Sequence, residues 1–409
     1  MTGALAALLA DPAVAQLLAC LNGSGEETRI VGGAVRNVLL GMPIVDIDLA
    51  TTALPDEVMA RARHAALKIV PVGLEHGTVS LVVAGRLFEV TTLRRDIKTD
   101  GRRAKVQFGR DFADDAARRD FTINALSLDI FGKVHDTQGG LADIKAGRVR
   151  FIGHAEQRIA EDYLRILRFF RFYASYGRGA PDPAGLAACL RLRFGLLNLS
   201  RERLRAETLR LMMATNVAPT LAIMSDIGII GVATGGLAYP QRLAALLAAS
   251  PHSDALLRLA ASFVAVPEDA ERLYERLRLS KRESERLARA ASALVRLKSL
   301  RSPASQDQLR SLLYDFGQAS ALEGLALREA EDNAGSQTTA RDFLHATLRP
   351  ELPVSGADVI NQSPLRGPAV GRVLKRFQAD WIRAGFPEDP AEVARILRQA
   401  IMTAKTPSA

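Results

Sequence analysis

Two spacings of apolar residues divide this chain, and that division constrains its fold more than any other feature of the sequence. Before about residue 137, short apolar runs alternate with amphipathic stretches: 28–31 (TRIV) reads as a strand, 34–40 as a helix opened by glycines, and 43–50 (PIVDIDLA) as a second strand. PDEVMARARHAAL has Pro at a helix start with acids behind it. KIVPVG, and then GTVSLVVAGRLFEVTTL broken at Gly85, read as further strands, the latter a hairpin. From about residue 153 the apolar positions recur three and four apart, with Gly/Pro/Ser breaks at 177–185, 299–306 and 331–338. No fixed repeat period stands out, so a solenoid is not expected. Strand signals confined to the first third can build one small mixed α/β head, and the rest of the 409 residues must form a long helical body of one or more further domains.

Composition removes several classes. With 48% hydrophobic and 24% charged residues, the chain is neither disordered nor of membrane type, and no apolar window is long enough for a membrane span. The start, MTGALAALLADPAVAQLLACL, lacks a basic leader region and is interrupted by Asp11, so it reads as an amphipathic helix rather than a signal peptide. Cys20 and Cys189 stand far apart without metal-ligand spacing, which excludes a disulfide framework and fits a reducing cytoplasm. The net charge of +9 favours an anionic partner, of which nucleic acid is the commonest. Residues 271–300 concentrate nine Lys/Arg against four Glu, a pattern that also suits a plain solvated helix face.

The stretch RIVGGAVRNVLLGMPIVDIDLATT, which starts at Arg29, carries the strongest chemical signal. Side chains alternate along a strand, so Asp46 and Asp48 project from one face and can share one or two hard cations. Mg²⁺ favours carboxylates together with substrate phosphates, and paired ions stabilise the attacking and leaving oxygens of a phosphoryl displacement. The Gly32-Gly33 turn lets backbone amides and a helix N-terminus approach those phosphates. Together these features point to nucleotidyl transfer. Glu89, on the second hairpin strand, stands where it can join the pair as a third carboxylate or form a structural ion pair with a neighbouring arginine.

In order, GGAVRN…DIDLATT, HGTVSLVVAGRLFEVTTLRRD, DGR, RRDFTINALSLD and EDYLRILRFFRF resemble the class II tRNA nucleotidyltransferases and bacterial poly(A) polymerases. The resemblance covers about 28–212 and continues faintly in PVSGADVINQSPLRGPAVGRVLKRF. It implies an α+β protein: a polymerase β-like nucleotidyltransferase head (1–137), then an all-α neck (138–212) with the nucleotide-selecting motif, a body (213–300) and an RNA-binding tail (301–409). The family's first motif commonly ends in Asp where this chain has Asn37. By resemblance Gly33 and Arg36 contact the triphosphate, with Asn37 behind them and its amide free to hydrogen-bond. Arg119 offers a guanidinium fork for phosphate, and Asp120 and Asn124 suit ribose hydroxyls.

Asp162, Arg165, Arg168 and Arg171 recur at intervals of three, which on one helix sets carboxylate beside guanidinium. A surface salt-bridge ladder would use the same spacing. Cytosine and adenine present an exocyclic amine beside a ring-nitrogen acceptor, so one acceptor next to one donor fits C and A and rejects U and G. The resemblance implies this template role for Asp162 and Arg165, with Arg168 and Arg171 supporting it or reaching phosphate. The expected activity is template-independent addition of C, C and A to tRNA from CTP and ATP, on a two-Mg²⁺ site held by Asp46 and Asp48. The partners would be the tRNA acceptor and T arms, along the 271–300 helices, with no membrane and no protein partner implied. Poly(A) addition or partial A- or CC-addition is the alternative within the family, set partly by a flexible loop at 94–117. A non-catalytic RNA-binding protein is the alternative outside it, disfavoured by the intact Asp46, Asp48, Asp120 and Asp162.

Overall fold

The computed structural model describes residues 2–70, 77–100, 103–300, 303–332 and 337–405. They form two compact units, Met1–Ala233 and Thr234–Ala409. In the first, nine strands follow the order β1 (Thr28–Val31), β2 (Asp48–Thr51), β3 (Lys68–Val70), β4 (Thr78–Val83), β5 (Arg86–Thr92), β6 (Arg94–Asp100), β7 (Arg103–Phe108), β8 (Ser127–Leu128) and β9 (Val134–His135). Seven make a mixed sheet, β3-β4-β5-β2-β1-β8-β9. Here β2 runs parallel to β5, with Asp48 opposite Glu89, and antiparallel to β1, with Asp48 opposite Val31. The hairpin break falls at Ala84 and Gly85, both with positive φ (49° and 77°). Two consecutive positive φ values are what a two-residue hairpin turn requires.

Leu17, Leu18 and Leu21 from the helix Pro12–Leu21 pack with Ile30, Leu49, Val79, Leu81, Phe88 and Val90 into the head core. Each fully buried side chain of this size contributes about 1.5–3 kcal/mol. That core is what fixes the strand ends carrying Asp48 and Glu89.

Three local expectations change. The N-terminal stretch is two helices, Thr2–Ala10 and Pro12–Leu21, because Pro12 cannot continue the first and the Asp11 carboxylate caps the second through Ala13 N (3.0 Å) and Val14 N (3.2 Å). These two helices are bent by 74° at the break, and among the described residues no single helix is long and apolar enough to cross a membrane. The strand expected at 43–50 shrinks to Asp48–Thr51. The adjacent β1 ends at Val31, where Gly32 (φ 71°) turns the chain away, so among the described residues no strand pairs with residues 42–47. Asp46 therefore lies outside the ladder, though exposure still alternates through Asp46, Ile47 and Asp48. Residues 94–117, expected as a loop, form the separate β6–β7 ribbon and the helix Phe112–Ala117. The DGR tip at Gly101 and Arg102 lies outside the described residues.

After the head the described residues are almost wholly helical, with interruptions at the three breaks read from the sequence. In the second unit Leu297, Leu309, Leu312, Leu313, Leu325 and Leu344 form one cluster, and Val359, Val373, Phe377, Trp381 and Leu397 another. The basic stretch 271–300 spans the helices Pro267–Leu277 and Lys281–Lys298. Part of its charge is paired: Arg272 with Asp269 of its own helix (2.7 Å), and, between helices, Arg286 with Asp254 (2.8 Å) and Glu323 (2.7 Å) and Lys298 with Glu331 (2.6 Å). Lys281, by contrast, has a side chain that is 88% exposed.

Candidate active site

The helix Gly33–Leu40 begins where β1 ends, and Gly32 forms its start at φ 71° and ψ −122°. The backbone angle favours glycine, and a Cβ at Gly32 would lie 2.9 Å from Arg119 Nη1 and push the end of that arginine aside. The first amides of this helix and the Arg119 guanidinium thus border the same space. Asp115, nearly buried, holds Arg119 through Nη2 (2.9 Å) and Nε (3.1 Å) and also pairs with Arg118.

Asp48 keeps access to solvent, yet its carboxyl is pushed above the usual range by desolvation, then by Glu89, with Arg119 opposing and Asp46 adding. Among the described residues, Asp46, Asp48 and Glu89 form no ion pair. Glu89 stands opposite Asp48 across the parallel strands. Clustered carboxylates with no direct ion pair among the described residues fit a hard divalent ion. No three His, Cys, Asp or Glu side chains among the described residues converge as a complete metal group. Ligation by Asp46 and Asp48 would thus be finished by phosphate oxygens and water.

A buried arginine–carboxylate network lies behind the glycines. Asp120, 8% exposed, accepts from Arg168 Nε (2.7 Å), from Asn124 Nδ2 (3.0 Å) and from the Phe121 amide (2.9 Å). Burial pushes the Asp120 carboxyl up, but Arg168 and these hydrogen bonds outweigh it and hold it below its ordinary range. Asn124 in turn accepts from Arg36 Nη1. Asp120 and Asn124, read as ribose contacts, line the pocket while holding Arg168 and Arg36 in place.

Asp162 departs from the expected single helix. It sits between the helices Ala155–Glu161 and Leu164–Tyr176 with φ −156°, accepting from the Leu164 amide (3.1 Å) and from Arg203 Nη2 (2.7 Å). The short polar side chain caps the second helix, which competes with continuing the first. Arg165 Nη1 donates to Glu161 Oε2 (2.6 Å) and to the Arg158 carbonyl (2.7 Å), so Asp162 and Arg165 are oriented by separate partners. Arg171 pairs with Glu207, which is 1% exposed.

Of the site residues expected from the sequence, all except Glu89 border one cavity of 680 Å³ within the first unit. Its lining brings Gly32, Gly33, Asp46 and Asp48 of the head together with Asp162 and Arg165 from the helices beyond it. Eight arginines and four aspartates line it, an excess suited to a polyanion such as a triphosphate. Arg118, Phe172, Arg203 and Arg210 also line it and escaped the sequence reading. Arg118 and Phe172 stand inside the RRDFTINALSLD and EDYLRILRFFRF stretches without having been given a role there, and Arg203 sits in the basic run SRERLR.

A mixed-sheet head with a glycine-opened helix facing a carboxylate pair, joined to an arginine-rich helical wall, has the layout of a nucleotidyltransferase. The family described as the Poly A polymerase head domain matches residues 28–150. Over 386 residues the chain is 32% identical to the human (Homo sapiens) CCA tRNA nucleotidyltransferase 1, mitochondrial, spanning 91% of this chain and 87% of that protein. The Bacillus stearothermophilus CCA-adding enzyme in complex with CTP has a TM-score of 0.72 at 27% identity, over 97% of this chain and 99% of that one. The Thermotoga maritima CCA-adding enzyme complexed with tRNA-CCA shares the fold, with a TM-score of 0.68 at 20% identity and 98% of each chain covered. The chain belongs to the CCA tRNA nucleotidyltransferase family.

Proposed function

We propose that this nucleotidyltransferase completes tRNA by adding C, C and A to the 3′ end from CTP and ATP. The observation that carries the reading is the single cavity that joins the Asp46/Asp48 pair and the Gly33 helix start to Asp162 and Arg165. The 3′-hydroxyl oxygen attacks the α-phosphorus, the bond to the β-phosphate breaks and pyrophosphate leaves, with no covalent enzyme intermediate. Asp46 and Asp48 would hold Mg²⁺, which supplies charge neutralisation at the reacting phosphate and acidifies the attacking hydroxyl. Glu89, opposite Asp48 on the neighbouring strand, is assigned as a third carboxylate that acts on Asp48 rather than as a member of a three-residue metal group. The Gly32–Gly33 turn, Arg36 and Arg119 take phosphate oxygens, and Asp120 and Asn124 order the ribose end. Asp162 accepts from the exocyclic amine and Arg165 donates to the ring nitrogen, so uracil and guanine meet like against like. Arg168 and Arg171 support this wall through their carboxylate partners.

Within the first unit, 1–137 is assigned as head and 138–212 as neck, followed by body to residue 300 and RNA-binding tail to 409. The acceptor and T arms of tRNA would run along the basic surface near Lys281, held by backbone charge rather than base contacts. The two free thiols, Cys20 and Cys189, suit a reducing cytoplasm.

Transcripts ending before CCA, at C and at CC test the reading when each is given single labelled nucleotides and then CTP with ATP. Growth by C, C and A, with UTP and GTP refused, is the expected result. Long A tails would make the chain a poly(A) polymerase, which the head-domain match favours as the second reading. Stopping after CC, or adding A alone, would make it a partial enzyme.

A further inference from the structure

Arg158 stands in the last turn of the helix Ala155–Glu161, with a side chain that is 12% exposed. It does not line the cavity, yet it holds residues that do. Its Nη2 donates to the backbone carbonyls of Arg118 and Arg119, which lie 40 and 39 residues earlier in the chain. Its Nη1 donates to both carboxylate oxygens of Glu161 (3.0 and 2.7 Å), and Glu161 Oε2 also accepts from Arg165 Nη1 (2.6 Å). Arg165 Nη1 closes the ring on the Arg158 carbonyl (2.7 Å). Both Nη groups of Arg158 are thus committed to protein acceptors, and its Nε is buried, so the guanidinium acts on the nucleotide only through its neighbours.

The two sets of neighbours belong to different ends of the site. Arg118 and Arg119 stand on the phosphate side, where Asp115 directs both side chains and Arg158 adds a hold on the backbone between them. Arg165 stands on the base side. If Arg158 were lost, Glu161 and Arg165 would remain paired with each other but would no longer be tied to residues 118–119. A planar fork that takes a carboxylate on one nitrogen and two carbonyls on the other fixes direction as well as distance. That matters because base and triphosphate arrive as one covalent molecule, and a displacement of about 1 Å between their binding groups is enough to misalign the reacting atoms.

We propose that Arg158 is a positioning residue that sets the register between the base-reading Arg165 and the phosphate-side segment 118–119, so that choice of base and placement of the phosphates are settled together. This deepens the nucleotidyl-transfer reading above and rests on it. Glu161 is the joint: one carboxylate receives both guanidinium groups, so Arg165 takes its direction from Arg158.

The test is a cycle of wild type, Arg158→Met, Arg165→Met and the double variant, with Arg158→Lys beside it. Each is checked by thermal melting, titrated calorimetrically in Mg²⁺ with CTP, UTP and inorganic tripolyphosphate, and assayed on a transcript lacking CCA. Arg158→Met is expected to reduce the preference for CTP over UTP by about tenfold, as for loss of one charged hydrogen bond, while tripolyphosphate binds within about twofold of wild type. On the Arg165→Met background the same change should alter the preference by less than about twofold, because the effect passes through Arg165. Arg158→Lys keeps the charge but presents a single nitrogen in place of the fork, so it should lose about threefold, and it decides the question if Arg158→Met does not fold. A folded variant with its CTP preference intact would overturn the inference and leave Arg158 a tie for stability alone. A tripolyphosphate loss as large as the CTP loss would overturn it too, as would an equal fall in preference on both Arg165 backgrounds. Equal affinity of the wild type for CTP and UTP would overturn the base-reading assignment and this inference with it. A wild type that prefers CTP but adds nothing to tRNA would instead overturn the functional reading, leaving the binding cycle to decide the role of Arg158.

Discussion

Asp46, Asp48 and Glu89 gather like charges with no ion pair among the described residues, whereas Arg165, Arg168, Arg171 and Arg203 each meet a carboxylate. Both groups belong to one unit and, Glu89 apart, border one cavity, and they treat charge in opposite ways. Uncompensated carboxylates raise one another's affinity for protons and cations, which is useful only where a cation is to be bound. Paired guanidinium groups lose some of their field but gain fixed direction, which is what reading a base edge requires. The head region stores charge, and the helical wall stores geometry.

Breaking the first region should have the largest effect. Asp48→Ala is expected to reduce incorporation by about a thousandfold or more while leaving tRNA binding within about twofold, measured by labelled-nucleotide addition and filter binding. The isosteric Asp48→Asn sharpens the contrast. Because the folded-state pKa of Asp48 is raised, its ionisation opposes folding at neutral pH, and that penalty fades as pH falls through the raised value. Metal-free Asp48→Asn should therefore melt higher than wild type at pH 7 and no higher once Asp48 is protonated. Equal melting at both pH values would break the description of this region as charge held without a partner.

In the paired wall the sign reverses. Arg168→Met strands the buried Asp120 carboxylate and should cost about 3–5 kcal/mol, read by denaturant unfolding. The pKa of Asp120 is depressed in the fold, so its pairing stabilises at pH above the ordinary carboxylate value and is lost as pH falls through the depressed one. The cost of Arg168→Met should shrink in acid accordingly.

A smaller effect is expected at Arg203, which orients Asp162 from another helix. Arg203→Ala should reduce discrimination of CTP over UTP by about tenfold, a loss of one charged hydrogen bond, with little change in melting temperature. If selectivity holds, the direction of Asp162 is set by its helix cap alone. The smallest effect belongs to the exposed charge at Lys281. Lys281→Glu should weaken tRNA binding by about two- to threefold and lower the salt slope by about one, without altering CTP affinity. The same change at Arg272 should instead lower stability, since Arg272 is tied to Asp269.

Much of the site was legible because its parts are local in sequence. Gly32-Gly33, Asp46/Asp48, Arg119-Asp120 and Asp162/Arg165 all border the cavity, although what each does there is for the variants above to establish. The head strands at 28–31 and around Gly85, and the helical breaks, also follow from turn chemistry and apolar period. What escaped depends on partners remote in the chain. Pro43 and the run before Asp48 read as strand by composition, but a strand needs a neighbour, and Gly32 removes it. Asp162 fits a helical spacing, but its carboxylate caps the next helix and takes Arg203 from 41 residues away.

The sequence by itself determined which elements exist and which chemical groups the head and neck carry, because period, capping and turn preferences act over a few residues. Only the tertiary structure decided which charges are neutralised. Arg171 found Glu207, Arg168 found Asp120, and Arg36 found only amide and hydroxyl oxygens and aromatic rings. Those outcomes follow from packing between segments far apart in the chain, where burial makes an unpaired charge costly enough for its partner to matter.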